Sequence, residues 1–148
     1  MRGNRENSKI RERVIAFVIF SITGIVLGLA MYLTPNPNGF GTHQQLGLEQ
    51  CGFITLLGIP CMMCGMTTSF SHYAHGEIIS GFVNQPFSSV LFSMTVAGFV
   101  LSCIELISPT NRIDALWNKL TQIRLSVCLL FLFTMILSWV YKIYIFSN

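Results

Sequence analysis

The sequence predicts an all-α membrane protein with about three transmembrane helices. Of its 148 residues, 52% are apolar and only 10% charged, and the mean hydropathy is +0.61. Three apolar runs are each long enough to cross ~30 Å of hydrocarbon at about 1.5 Å of helix rise per residue. This composition lies outside the soluble globular range, so lipid is the expected solvent for most of the chain. The net charge of +3 comes from basic residues in short blocks rather than along one face. That pattern argues for membrane orientation and against a nucleic-acid-binding surface.

The first predicted span covers residues 14–33, VIAFVIFSITGIVLGLAMYL. Before it, Arg2, Arg5, Lys9, Arg11 and Arg13 form a basic arm over residues 1–13. The arm resembles the start of a signal peptide, but the apolar run is too long and no small-residue cleavage site follows, so the segment is expected to remain as an anchor. The second span is predicted over 87–107, introduced by Asn84 and Pro86 and ended by Ser108 and Pro109, with Glu105 expected to reach the headgroups. The third covers 125–146. Lys142 is expected to snorkel to the interface, and Trp139, Tyr141 and Tyr144 suit an aromatic belt. Gly24 and Gly28 in the first span form a GxxxG, which permits close helix approach. Together, residues 14–148 read as a single integral membrane domain.

Residues 34–85 contain no Lys or Arg, whereas the N-terminal arm and the Arg112, Lys119, Arg124 segment are basic. The positive-inside rule therefore places the N-terminus in the cytoplasm and the long 34–85 segment outside. Residues 51–76 are uncharged too, but a fourth span there would reverse the Arg112–Arg124 loop, and Gly52, Gly58, Pro60 and Gly65 interrupt any helix. A re-entrant or interfacial element packed on the three spans is expected instead. Between spans two and three, Ile113, Leu116, Trp117, Leu120 and Ile123 recur at helical spacing and predict an amphipathic helix on the cytoplasmic surface. The turn-rich TPNPNGFGTH over 34–43 is expected to be loop.

Chemistry concentrates in residues 51–84. CGFITLLGIPCMMCGMTTSFSHYAHGE carries Cys51, the CxxC pair Cys61 and Cys64, and then His72, His75 and Glu77. A helix is expected from Met66 to His75, with Thr67 or Thr68 near its start and Gly76 at its end, which places Cys64 at a helix N-terminus where a thiolate is stabilised. Three chemistries fit. Cys51, Cys61 and Cys64 with His75, or His72 in its place, make a Cys₃His zinc set, whose four protein ligands leave no open position and so imply a structural role. Met62, Met63 and Met66 add soft thioethers that suit Cu(I), though methionine in apolar segments usually fills gaps. The second chemistry is thiol–disulfide exchange by Cys61 and Cys64, for which the usual thioredoxin-like βαβ context is lacking. The third is a static disulfide from Cys51 that staples the loop. Histidines at a membrane interface are more often hydrogen-bonded amphipathic residues than ligands, and Glu77 is more simply a solvated acid. Cys103 and Cys128 lie in predicted spans and are assigned no chemistry.

The spacing Cys51, nine residues, Cys61, two residues, Cys64-Gly65-Met66-Thr67, then His75-Gly76-Glu77 and Asn84 before Pro86, resembles a bacterial membrane-protein family catalogued as domain of unknown function 2752. The family reads like C-P-F…T-G-x-x-C-P-x-C-G-x-T-R, then H-G-(D/E) and N-P. Here Gly52 and Met62 replace prolines, and Thr68 stands where an arginine often stands. The resemblance implies a multi-pass protein of a bacterial cell membrane but no reaction. Any family role maps to Cys51, Cys61, Cys64, Gly65, Thr67 and His75. The functional expectation is a structural or accessory membrane component whose cysteine site holds zinc or a disulfide. A thiol oxidoreductase is the alternative, and a small transporter or channel subunit the third class. The lipid bilayer is the expected partner, with a homo-oligomer or another membrane protein left open.

Overall fold

The computed structural model describes residues 2–108, 119, 121–122 and 124–147, with side chains among these from residue 10 onward. In chain order it contains α1 (Arg2–Tyr32), a 3-10 turn (Thr42–Leu46), α2 (Gly52–Leu57), α3 (Met66–Ala74), α4 (Ile78–Asn84), α5 (Pro86–Ile107) and α6 (Arg124–Ser147). No strand occurs among the described residues. Three helical stretches are long and apolar enough to cross a membrane: Ile10–Tyr32, Pro86–Ile107 and Arg124–Ser147. They correspond to the three predicted spans, and the chain is a helical membrane protein. The apolar stripe of the expected cytoplasmic amphipathic helix, Ile113 to Ile123, lies outside the described residues.

The spans present apolar side chains outward. Phe17, Ile22, Ile25, Met94, Leu129, Phe133 and Leu137 are all exposed. Against lipid this is no penalty, because the hydrocarbon is as apolar as the side chains. α1 packs chiefly on α5, with Phe20 stacked on Phe99 at 5.0 Å. A Cβ on Gly24 would lie 3.3 Å from the Phe99 ring, whereas one on Gly28 would meet nothing within 4 Å. Among the described residues, only the first glycine of the GxxxG thus serves a helix contact. α6 meets α5 more sparingly, at Phe87 against Phe131 with ring centroids 4.7 Å apart and at the Phe87 N–H, which donates to Ser138 Oγ at 3.2 Å.

Residues 33–85 form a cap over one end of these helices. Segment 51–76 is no fourth span: α2 lasts six residues and stops at Gly58, whose φ of 70° ends the helix in the left-handed region. Pro60 follows. α3 then packs on α1 and α5, with the Phe70 and Tyr73 rings 5.3 and 5.1 Å from Phe92. The Ser71 hydroxyl donates to Leu33 O at the end of α1. Gly76, at φ 81°, turns the chain into α4. Pro86 opens α5 at the position where its missing N–H leaves no hydrogen bond unmade.

Two charged side chains depart from expectation. Lys142 is 4% exposed and Glu105 1% exposed, so neither reaches for the headgroups. The reason for Lys142 is a set of acceptors on the cap, described below. Trp139 and Tyr141 likewise turn their polar tips to the cap, donating to Pro60 O at 2.9 Å and Val83 O at 2.9 Å.

The fit of α4 is close. A Cβ on Gly81 would lie 2.6 Å from the Tyr73 ring. Gly81→Ala should therefore lower stability by ~1–3 kcal/mol through overpacking, while Gly28→Ala, with open space around it, should not. Thermal unfolding in mild detergent compares the two.

Candidate metal centre

The sequence from Cys51 to Gly65 closes on itself because its turns are short and its glycines are placed where the chain must reverse. Cys51 precedes α2, and its carbonyl accepts from Ile54 N at 3.0 Å and Thr55 N at 3.2 Å. After Gly58 and Pro60, the CxxC folds into a turn in which Cys64 N donates to Cys61 O at 3.0 Å. The Sγ atoms of Cys51, Cys61 and Cys64 all lie within 4.8 Å of one another. Cys64 is buried and the other two are half-buried.

Their acidities diverge. Burial and the neighbouring Cys51 and Cys61 sulfurs push the Cys64 thiol up to about 12. Burial, followed by the hydrogen bond to Cys51, raises Cys61. At Cys51 burial also acts upward, but hydrogen bonds from Cys61 and from backbone N–H groups of Ile54, Phe53 and Cys61 outweigh it, and the net direction is down. The expected helix-terminus effect on Cys64 is therefore overturned. Gly65, at φ 88°, is the residue that caps α3, and it leaves Cys64 one step outside the helix in a desolvated position.

A buried ammonium stands beside the site. Lys142 Nζ donates to Asn84 Oδ1 at 2.6 Å, Gly39 O at 3.1 Å and Asn84 O at 3.3 Å, matching its three N–H donors with three acceptors. It also lies within electrostatic reach of Cys64. Asn84 completes the lock by donating Nδ2 to Gly65 O at 3.0 Å and Ser69 Oγ at 2.8 Å. The backbones meet so closely here that a Cβ on Gly65 would lie 2.6 Å from Gly39 O, and one on Gly39 would lie 2.5 Å from Asn84 Oδ1. Gln85 Nε2 supports the CxxC turn from below, donating to Met62 O at 2.8 Å.

Neither predicted histidine joins the sulfurs. His72 Nδ1 pairs with Glu77 Oε2 at 2.6 Å, and His75 Nδ1 donates to Ser71 O at 2.8 Å at the end of α3. Thr67 borders the sulfur cavity. Thr68, at the position of the family arginine, is fully buried and shares a hydrogen bond of 2.8 Å with Thr42. Cys103 and Cys128 stand apart from the cysteine group. Among the described residues, sequence reasoning missed His43, which borders the same cavity of about 220 Å³ as the three cysteines. The signal was present in a histidine eight positions before Cys51, at the end of a glycine-rich turn.

Residues 51–99 match the model of a family described as Protein of unknown function (DUF2752). The DUF2752 match begins at Cys51, takes in the CxxC turn, α3 and α4, and ends within α5, in agreement with the resemblance read from the motif spacing. No curated protein and no solved structure matches the chain.

Two outcomes follow from this geometry. Lys142→Met should strand three buried acceptors and lower stability by at least about 2 kcal/mol, at the scale of ~1–3 kcal/mol per unsatisfied group; a melting curve in detergent reads it. In reduced, metal-free protein, maleimide at neutral pH should label Cys51 before Cys61 and Cys64, because only the thiolate reacts and Cys51 alone has its pKa lowered. Peptide mapping after short exposures gives the order, and raising the pH should narrow the difference.

Proposed function

We propose that the cysteine group is a structural zinc site that fixes the cap of an accessory membrane component. The observation that carries this is the convergence of three sulfurs, one from the start of α2 and two from the CxxC turn, onto one point, all within 4.8 Å. Tetrahedral zinc with Zn–S bonds of ~2.3 Å needs sulfurs roughly 3.8 Å apart, so the group requires only slight contraction. Electrostatics favours the same occupant. Three thiolates around Zn²⁺ leave one negative charge, and the Lys142 amine lies within electrostatic reach of Cys64. The cap has little apolar interior of its own: the fully buried residues there include Thr42, Thr68, Ser69, Ser71 and Gln85. A metal cross-link is a recognised substitute for a core in such segments.

The cap lies on the outer side of a bacterial cytoplasmic membrane with the N-terminus inside. The support is the basic arm at one end and the absence of Lys and Arg from residues 34–85 at the other. Thiol–disulfide exchange is the competing activity, and the lowered pKa of Cys51 beside Cys61 favours it. Against it, Cys61 and Cys64 of the CxxC pair both hold their protons more tightly than free thiols, the reverse of what an attacking pair requires.

Metal content and free thiols, measured together on protein purified in mild detergent without reductant or chelator, decide between these. Near-stoichiometric zinc is expected, with the cap thiols reactive only after chelation. Free zinc at ~1,000 times Kd should stabilise the fold by about 4 kcal/mol, and Cys61→Ser or Cys64→Ser should remove both the metal and that stabilisation. Absence of metal, with two cap thiols missing until reduction, would replace the zinc site by a disulfide.

A further inference from the structure

We infer that His43 is the fourth protein ligand of this site, completing a closed Cys₃His set; the inference rests on the zinc reading above. Its place in the fold is the first argument. His43 borders the cavity that Cys51, Cys61 and Cys64 enclose, whereas His72 and His75 do not. His75 and His72 are also engaged at Ser71 O and Glu77.

The second argument is the tautomer. His43 Nε2 lies 3.1 Å from Glu49 O. A carbonyl oxygen only accepts, so Nε2 carries the proton and Nδ1 keeps a free lone pair. This is the arrangement of metal-binding histidines, in which one ring nitrogen donates to a backbone carbonyl and the other ligates. His43 is only half-buried and its ring lies outside the 4.8 Å sulfur group, so the ring has to move toward the sulfurs to ligate, and the Glu49 O contact sets the tautomer from which it starts.

The third argument is the frame that presents the residue. Gly41 and Gly47, at φ 83° and 76°, bracket the 3-10 turn. Next to His43, Thr42 is fully buried and bound through its hydroxyl to Thr68 at 2.8 Å and to Asn36 N at 3.0 Å. The backbone of His43 is thereby pinned beside the start of α3, one turn from Cys64. A metal held in this way joins three chain segments: the 3-10 turn, the start of α2 and the CxxC turn.

The test uses the full chain in detergent with zinc as the only added ligand. X-ray absorption at the zinc edge should show three sulfurs and one imidazole in the wild-type protein and in His72→Ala and His75→Ala. His43→Ala should lose the imidazole signature and weaken zinc binding by more than the ~100-fold that outer-shell changes reach. His43→Cys should restore tight binding with four sulfurs, which separates ligand loss from misfolding. Retention of the imidazole signal in His43→Ala, or its loss in His75→Ala, would overturn the assignment while leaving the metal site in place. A wild-type protein that takes up no zinc would overturn both.

Discussion

The cap depends on one buried ammonium. Lys142 sits in the last turns of α6, yet its three donors end on Gly39 and Asn84, residues far away in the chain. Asn84 passes the connection on to Gly65 and Ser69, and Gly65 is the cap of the helix that follows the CxxC turn. A charge at the edge of an apolar helix has to find acceptors or water. Here it finds backbone carbonyls, and by doing so it draws the turn at Gly39, the turn at Gly65 and the end of α4 to one point. The sulfurs converge because the turn that carries two of them is held by this point from one side and by Gln85 from the other.

The interior follows from the same constraint. Its fully buried residues include Gln85, Thr42, Thr68, Ser69, Ser71, Ser88 and Ser102, while large apolar side chains cover the outside. In water such a distribution would be unstable, since apolar burial is the main force of folding there. In lipid the apolar surface is neutral toward its surroundings, and the polar groups gain by meeting one another inside. Close packing of small hydroxyl residues lets backbones approach. Ser71 with Leu33 O, and Thr42 with Thr68, are hydrogen bonds made at such approaches.

Much of this was legible in the residue pattern. Runs of apolar residues at spanning length predicted the three spans within a few residues, and loop charge together with Gly52, Gly58, Pro60 and Gly65 favoured a re-entrant element over a fourth span. The proximity of Cys51 to the CxxC pair followed from motif spacing, because α2 and two tight turns cover the intervening residues. Lys142 and Glu105 were misplaced for a physical reason. Position along a helix says how near a charge lies to the interface, but whether it turns outward depends on acceptors contributed by remote segments. The histidines show the same limit. His72 and His75 share an amphipathic helix with partners close in sequence, whereas His43 approaches the sulfurs only through the fold of a loop that carries no periodicity.

The distance in sequence between the partners of the lock also orders events during synthesis. Lys142 follows Asn84 by 58 residues, so at ~5–20 residues per second the ribosome delivers it roughly 3–12 s later. Until α6 has entered the bilayer, Gly39, Gly65 and Asn84 have no cation to gather around. For those seconds the nascent cap lacks the three hydrogen bonds that Lys142 supplies. Closure of the lock between the cap and the spans thus waits on the arrival of the last helix, the element that carries Lys142.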